Sequence, residues 1–300
     1  VVNSRAGAGR WRARLAGAEA LRADFDCVEV GGQSAEDTRA ALEREAAEGC
    51  AGVVIFGGDG TVNGLLPLLC ARALPLAVFP AGTVNDLARE LGMTASWEGL
   101  RALLLRGQPL PMDLAAVNGR PFAVYASVGM GAENSKFMHH TRRLVGVLRR
   151  RLPLLMTPLF MVRTILFDTR YRRRLKIDLD GSGRELTTPG MYVANQKHLS
   201  GNLDLGWRRA ADDHRFLALT LADVGRLGLL GLVYTLQTTK RLAAAGDRLQ
   251  AQPGRRLVVE SVDGAPISAF GDGEPLVDAA RLEFEVLPGA IQVYRSAGIA

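Results

Sequence analysis

At 300 residues the chain exceeds one typical domain, so two domains of roughly 110 and 190 residues are the starting expectation. A composition 48% hydrophobic and 23% charged excludes a disordered chain, and three cysteines without CxxC spacing (Cys27, Cys50, Cys70) exclude a disulfide or zinc framework, reading instead as reduced, mostly buried thiols. The net charge is +6, yet Arg142–Arg174 alone holds ten Arg and one Asp, or +9, leaving −3 elsewhere; one basic block suits an anionic surface better than nucleic acid, and Tyr171 is its only Tyr or Trp for stacking.

The first third alternates short β-branched runs with helical patterns, as a parallel α/β sheet requires. Val1-Val2 is the remnant of a first strand, and Trp11, Leu15, Ala18 and Leu21 recur at helical spacing. No secretory signal is visible, and the abrupt opening on Val1-Val2-Asn3 leaves room for an upstream segment. Phe25–Val30 reads as a second strand, and Ser34 can cap a helix through Leu42 to Ala47. Gly52–Phe56 is a third strand, apolar throughout as if buried on both faces, followed by a helix from about Val62 to Ala71. Leu76–Phe79 is a fourth strand, followed by a helix ending near Gly92.

Beyond Pro111 the pattern turns antiparallel. Met112–Val117 and Phe122–Val128 flank Asn118-Gly119, a hairpin signal. Leu175–Leu179 and Met191–Ala194 flank a turn-rich stretch, and Phe216–Leu221, Arg256–Glu260, Leu282–Val286 and Ile291–Tyr294 supply further strands. Helical interruptions fall at about 134–170 and 222–243, with a helix over Val224–Leu242. The predicted domains are therefore 1–111, α/β, and 112–300, β-rich; the short junction at Pro109–Pro111 predicts packed domains with a cleft between them. The longest apolar stretches, Leu152–Val162 and Leu227–Leu236, fall short of the roughly 20 residues that cross a bilayer, so the protein reads as soluble or peripheral.

Chemistry concentrates in Gly57-Gly58-Asp59-Gly60-Thr61-Val62-Asn63, which leaves the carboxyl end of a buried strand and opens a helix. Glycines let amides approach phosphate oxygens, and a helix start favours an anion. Asp59 would repel phosphates unless Mg²⁺ lay between them. Pro80-Ala81-Gly82-Thr83-Val84-Asn85-Asp86 repeats the arrangement after the next strand, and Asn3-Ser4-Arg5-Ala6-Gly7 after the first, so all should lie at one sheet edge. Plainer readings stand beside these: a glycine turn with an ordinary cap at residues 57–63, a helix-start cap at Asn85-Asp86, a flexible strand-to-helix turn at residues 3–9. No Walker A sequence occurs, nor a G-x-G-x-x-G with its ribose-binding acid. His139-His140 have no Cys or acidic neighbours and read as surface residues.

GGDGTVN, PAGTVNDLARELG and a late FGDGEPL, with Met112-Asp113-Leu114, Ser127-Val128-Gly129-Met130-Gly131 and Val286-Leu287-Pro288-Gly289-Ala290, resemble the diacylglycerol-kinase catalytic-domain family over nearly the whole chain. The first two motifs are shared in part with NAD kinases; the GDGE favours the lipid-kinase branch. The resemblance implies a Rossmann-like α/β domain followed by an antiparallel β-sandwich. It also implies an ATP-dependent, Mg²⁺-dependent kinase, cytoplasmic and peripheral to the inner membrane face, acting on a lipid with a free hydroxyl. ATP would be contacted by Asn3, Ser4, Arg5, Ala6 and Gly7, by Gly57, Gly58, Asp59, Gly60, Thr61, Val62 and Asn63, and by Thr83. Asp59 would hold the catalytic Mg²⁺ through water, and Glu274 would be the base that deprotonates the acceptor. A structural Mg²⁺ would sit on Asp213 with the carbonyls of Ala210 and Arg215.

Plainer alternatives remain: a hairpin turn at Asp272-Gly273-Glu274, solvated turn residues at Asp212-Asp213, and a helical lid with a solvated Arg face at Arg142–Arg174 in place of an anionic membrane contact. NAD-kinase-like chemistry and an inactive nucleotide- or membrane-binding regulator are the rival functions, and a homodimer is admitted. The chain departs from the family at Asn3-Ser4-Arg5-Ala6-Gly7, where Asn-Pro-x-Ser-Gly is usual. Further departures are Gly31 in place of a threonine, Ser200-Gly201-Asn202 in the Gly-rich stretch, and Asp213-His214 in place of Asp-Gly.

Overall fold

A computed structural model describes residues 1, 16–32, 34–82, 84–141, 153–167, 172–199, 203–207 and 213–296. The chain divides into two compact units. Unit 1 comprises Val1–Leu114, Ala210–Asp212 and Pro288–Ala300, and unit 2 comprises Ala115–Arg209 and Asp213–Leu287. The architecture is the expected one, an α/β part followed by a β-rich part with antiparallel sheets.

In unit 1 the order is α1 (Glu19–Arg22), α2 (Ala35–Ala47), β1 (Val53–Gly57), α3 (Asp59–Arg72), β2 (Leu76–Pro80), α4 (Asp86–Glu90) and α5 (Trp97–Arg106). The predicted cap at Ser34 is present: its Oγ accepts from Asp37 N at 3.0 Å while the Asp37 carboxylate accepts from Ser34 N at 3.0 Å, a reciprocal capping box. β1 and β2 pair in parallel from Val53↔Leu76 to Gly57↔Pro80. Val1 lies along the other side of β1, donating to Val54 O at 2.7 Å and accepting from Phe56 N at 2.8 Å. The expected strand at Phe25–Val30 is irregular chain. Asp26 and Glu29 interrupt its apolar run, and it serves the fold through side chains: Phe25 and Cys27 pack on the cluster of Phe56, Phe79 and Leu100, while Val30 is buried. Trp97 stacks on Phe79 at 4.0 Å between ring centroids and completes that core. All three cysteines are free, and they are half-buried, more open than expected.

The β-rich part continues with β3 (Leu110–Val117), β4 (Arg120–Phe122), β5 (Tyr125–Gly129), α6 (Met130–His140), α7 (Pro153–Phe167), β6 (Arg173–Leu179), β7 (Ser182–Thr188), β8 (Gly190–Ala194), β9 (His198–Leu199), β10 (Leu203–Asp204), β11 (Phe216–Leu221) and α8 (Gly225–Thr239). It ends with β12 (Leu249–Gly254), β13 (Arg256–Ser261), β14 (Ile267–Gly271), β15 (Glu274–Ala279) and β16 (Arg281–Val293). One antiparallel sheet of six strands runs β12-β11-β8-β5-β14-β15. Facing it, β16, β13, β6 and β7 pair antiparallel in that order. Phe122, Phe216, Leu257 and Phe284 fill the space between the two sheets. Along β11 the parity alternates: Phe216 and Ala218 face the sandwich core, while Leu217, Leu219 and Leu221 face a second core. That second core is closed by Ile165 of α7 and by Leu229 and Leu232 of α8.

Three expectations change here. Ser182–Thr188, the turn-rich stretch, is an edge strand paired only with β6; its side chains are almost all exposed, so it lacks the apolar alternation that marks a strand. Phe122–Val128 is broken at Ala123-Val124 into β4 and β5 by hydrogen bonds described below. The strands expected at Leu282–Val286 and Ile291–Tyr294 are one strand, β16, whose tail reaches β2 at Val293↔Leu76. The Asn118-Gly119 hairpin holds, with φ of 46° and 76° at its two turn residues, the pair of positive values a type I′ turn demands.

Candidate functional site

In unit 1 the parallel register sets the site's geometry. Because Gly57 pairs with Pro80, the loops after β1 and β2 leave the same sheet edge side by side. Gly57 O accepts from Ala81 N at 2.9 Å, carrying the ladder into the loops. A Cβ on Gly58 would lie 2.9 Å from the Gly82 Cα, and one on Gly82 would lie 2.6 Å from the Gly58 Cα. Backbone meets backbone here, so only glycine fits at either position. A Cβ on Gly57 would reach the Thr61 Oγ1 at 2.7 Å; the Thr61 side chain therefore folds back over the loop.

Hydrogen bonds lock the paired loops. Asn85, at φ 56°, accepts from Gly82 N at 2.8 Å through Oδ1 and donates to Gly82 O at 3.0 Å through Nδ2. Its side chain closes the loop and does not cap α4. The carboxylate of Asp59 takes over at α4, accepting from Leu87 N at 3.1 Å. Asp59 thus belongs to both loops: it stands in the first turn of α3 and its side chain holds the start of α4. Thr61 N and Val62 N both donate to Gly58 O, at 2.9 and 3.2 Å, so the intrahelical ladder of α3 starts after the amides of Asp59 and Gly60. Gly60 is exposed, Asn63 half-buried, and the Val62 side chain is in the core. Glycines, a helix start and an oriented carboxylate are a donor set that fits a Mg²⁺-phosphate group.

Two buried acids adjoin these motifs. Asp86 pairs with Arg89 Nη1 at 2.8 Å, and Arg89 also donates to Val84 O at 2.8 Å. Asp113 is fully buried and accepts from Gly289 N at 2.8 Å. Among the described residues no three His, Cys, Asp or Glu side chains gather closely enough to hold a metal by themselves.

In unit 2 the late GDGE sequence forms the two-residue turn of the β14–β15 hairpin, with Gly271 paired to Glu274 and φ of 51° and 82° at Asp272 and Gly273. Asp272 is buried and its carboxylate accepts from Ala123 N at 2.7 Å and from Val124 N and Tyr125 N at 3.0 Å each. Its own N–H donates to Tyr125 O at 3.0 Å. From the other side, Asn195 Nδ2 and Gln196 Nε2 donate to Ala123 O at 2.9 and 3.0 Å. This buried polar hub breaks β4 from β5 and fixes the turn, and Glu274, half-buried, follows as the first residue of β15. Asp272, Asn195 and Gln196 were missed as determinants of the turn that carries Glu274. The Asp-Gly pair carried a readable type I′ signal; nothing in sequence marks the two amides.

The Ser127–Gly131 motif is explained by packing. A Cβ on Gly129, at φ 71°, would meet Pro189 O at 2.7 Å, and one on Gly131 would meet the Tyr192 hydroxyl oxygen at 2.8 Å. Burial pushes the Tyr192 phenol up to about 12.

Asp213 accepts from Arg215 N at 3.1 Å across His214, which takes φ 55°. The left-handed backbone that glycine adopts freely is thus kept with histidine in that place. Of the basic block, Arg163, Arg172, Arg173 and Arg174 are described. Arg172 pairs with Asp223 at 2.7 Å, Arg173 with Glu133 at 3.8 Å and Arg174 with Glu185 at 2.6 Å. His140 is exposed, as expected, with Nδ1 2.7 Å from Lys136 O. Asn3, Ser4, Arg5, Ala6, Gly7, Thr83, Ala210 and Arg142–Arg151 lie outside the described residues.

Comparison with known proteins gives the family and the fold. The model of the diacylglycerol kinase catalytic domain matches residues 1–117. The chain is 31% identical over 270 residues to "Probable lipid kinase YegS-like" of Pseudomonas aeruginosa (strain UCBPP-PA14), covering 87% of this chain and 82% of that one. It is 40% identical over 93 residues to the "Diacylglycerol kinase" of Mycobacterium tuberculosis (strain CDC 1551 / Oshkosh), 31% of this chain and 30% of that protein. A crystal structure of a diacylglycerol kinase from Bacillus anthracis str. Sterne superposes with a TM-score of 0.70 at 19% identity, covering 100% of this chain and 96% of that one. Two further chains from the same organism reach 0.77 and 0.74. The fold is shared.

Proposed function

The chain belongs to the diacylglycerol-kinase-like family of lipid kinases, and from that premise we propose that it transfers the γ-phosphate of ATP to a hydroxyl of a diacylglycerol-like lipid at a membrane surface. One observation carries the reading: the backbone of Gly58 packs on that of Gly82, with Asp59 bonded across to Leu87 N, joining the glycine loops of two neighbouring strand ends. Phosphoryl transfer asks little covalent chemistry of a protein; it asks for position and charge neutralisation.

In this reading the amides of Asp59 and Gly60 and the Thr61 hydroxyl receive phosphate oxygens, joined by Asn3–Gly7 and Thr83. Asp59, its carboxylate accepting from Leu87 N, would hold Mg²⁺ through water, and the ion would supply neutralisation of the phosphate charge. Glu274 accepts the proton of the acceptor hydroxyl as that oxygen bonds to the γ-phosphorus, and the bond to the β-phosphate oxygen breaks to leave ADP. Burial of Asp272 in its hub keeps the turn that presents Glu274 in a single conformation. A structural Mg²⁺ on Asp213, with the carbonyls of Ala210 and Arg215, is a separate part of the proposal, supported by the turn at His214. Among the described residues no helix is long and apolar enough to cross a membrane; we place the enzyme on the cytoplasmic side, bound peripherally.

The test is incubation with γ-labelled ATP, Mg²⁺ and a mixed lipid extract, with mass spectrometry of the labelled product. Wild type should label a lipid and leave added NAD unlabelled. Glu274→Gln should lower turnover by about 10²–10⁴-fold, the usual worth of a general base. Unchanged turnover in that variant would remove Glu274 from the role, and label on NAD alone would replace the lipid reading.

A further inference from the structure

Helices α7 and α8, 15 residues each, pack together over the outer face of the six-stranded sheet in unit 2, with Ile165, Leu229 and Leu232 turned inward. Helices on a protein surface ordinarily turn charged residues outward. These two do not. Pro153–Phe167 and Gly225–Thr239 hold no Asp or Glu and one Arg each, Arg163 and Arg226. On α7, Leu159, Leu166 and Phe167 are 55%, 40% and 72% exposed; on α8, Leu227 and Tyr234 are 85% and 72% exposed. Positions 159, 163 and 166, and positions 227 and 234, each follow one helical stripe.

The two stripes adjoin. The Arg226 guanidinium donates to the Leu166 carbonyl, so the last turn of α7 meets the first turn of α8 and brings Leu166, Phe167 and Leu227 into one neighbourhood. Cations flank them. Arg163 sits 3.8 Å over the Phe137 ring, and with Lys136, His140 and Phe167 it lines an open pocket of about 370 Å³. The acid in that lining, Glu133, is matched by Arg173 at 3.8 Å. Apolar tips with a surround in which Arg163, Lys136 and Arg226 outnumber the one acid of the pocket lining, Glu133, are what the interface of an anionic bilayer accepts. A second copy of the chain is the poorer occupant, because a two-fold contact would set each arginine cluster against its own equivalent.

Resting on the lipid-kinase reading, we propose that the α7–α8 surface docks on an anionic lipid bilayer. Phe167, Leu166 and Leu227 enter the boundary between headgroups and acyl chains, and Arg163, Arg226 and Lys136 lie among the lipid phosphates. At 15 residues each helix is about 22 Å long, short of the roughly 30 Å hydrocarbon core, so both lie along the surface.

The test is sedimentation of the protein with vesicles, in the absence of ATP, so that docking is read separately from catalysis. Wild type should bind phosphatidylglycerol–phosphatidylcholine vesicles more tightly than phosphatidylcholine alone, and less so in high salt. Phe167→Ser and Leu227→Ser should each weaken binding about tenfold, and the double variant about a hundredfold, with unchanged melting because both side chains already face solvent. Phe167→Trp should shift its fluorescence to the blue on anionic vesicles and be quenched by brominated lipid. Equal sedimentation of the double variant and wild type would overturn the proposal. So would a lipid-free dimer that the double variant dissociates while vesicle binding is unaffected. Vesicle binding without phosphate transfer would leave the docking surface standing and remove the kinase reading.

Discussion

Asp272→Ala tests whether the GDGE sequence is scaffold as well as chemistry. The substitution strips the acceptor from three backbone amides, Ala123, Val124 and Tyr125, inside a buried turn. An unsatisfied buried donor costs about 1–3 kcal/mol, and water entering the vacated space recovers part, so a total of about 3–5 kcal/mol is expected. Alanine in the left-handed region, where Asp272 sits at φ 51°, adds about 1 kcal/mol. For a unit of this size the combined loss of about 4–6 kcal/mol corresponds to a drop in Tm of roughly 8–24 °C. Asp272→Asn keeps one acceptor for Val124 and Tyr125 and tolerates the backbone, but presents an amide N–H to Ala123 N–H; its loss should be about half as large. Asp272→Gly removes the backbone strain and not the missing bonds, so it should fall between the two. Urea denaturation followed by circular dichroism gives the three values. Asp272→Ala within about 0.5 kcal/mol of wild type would refute the claim that this carboxylate holds the hub.

Gly82→Ala sets a Cβ 2.6 Å from the Gly58 Cα, a backbone clash that no rotamer relieves; it should cost about 1–3 kcal/mol and abolish ATP retention measured by equilibrium dialysis. Gly64→Ala, in α3 with open space around it, should instead stabilise by about 0.5–1 kcal/mol in thermal melts. The Tyr192 phenol, pushed up to about 12 by burial, keeps its proton in the folded chain while the unfolded chain releases its own near the ordinary value of 10.0. Stability should therefore be intact below about pH 10 and fall by about 1.4 kcal/mol per pH unit toward 12. Tyr192→Phe should remove that part of the slope in urea midpoints taken at pH 9, 10 and 11.

The strand–loop–helix units of unit 1 were legible because their signals are local: Ile55 and Phe56 in a run buried on both faces, glycines at its end, Ser34 three residues before Asp37. The β-rich unit was less so. Ser182–Thr188 is a strand by virtue of its pairing with β6, and an edge strand with solvent on its face has no hydrophobic period to display. Leu249–Gly254, Ile267–Gly271 and Glu274–Ala279 went unread beside it, since a strand's partner can lie far along the chain. Asp59 and Glu274 stood out by motif, whereas Asp272, Asn195 and Gln196 meet Ala123–Tyr125 across 72 to 149 residues of sequence.

Sequence by itself determined the glycine positions, the helix starts that follow them and the family they mark, because backbone conformation at a tight turn is decided by the residues within it. Tertiary structure alone decided what the charges do. Three of the arginines in the basic block are matched by Asp223, Glu133 and Glu185, distant in sequence, while Arg163 lies over the Phe137 ring and Arg226 reaches the Leu166 carbonyl. A sum of charges along the chain is blind to this, since electrostatic attraction depends on distance in space.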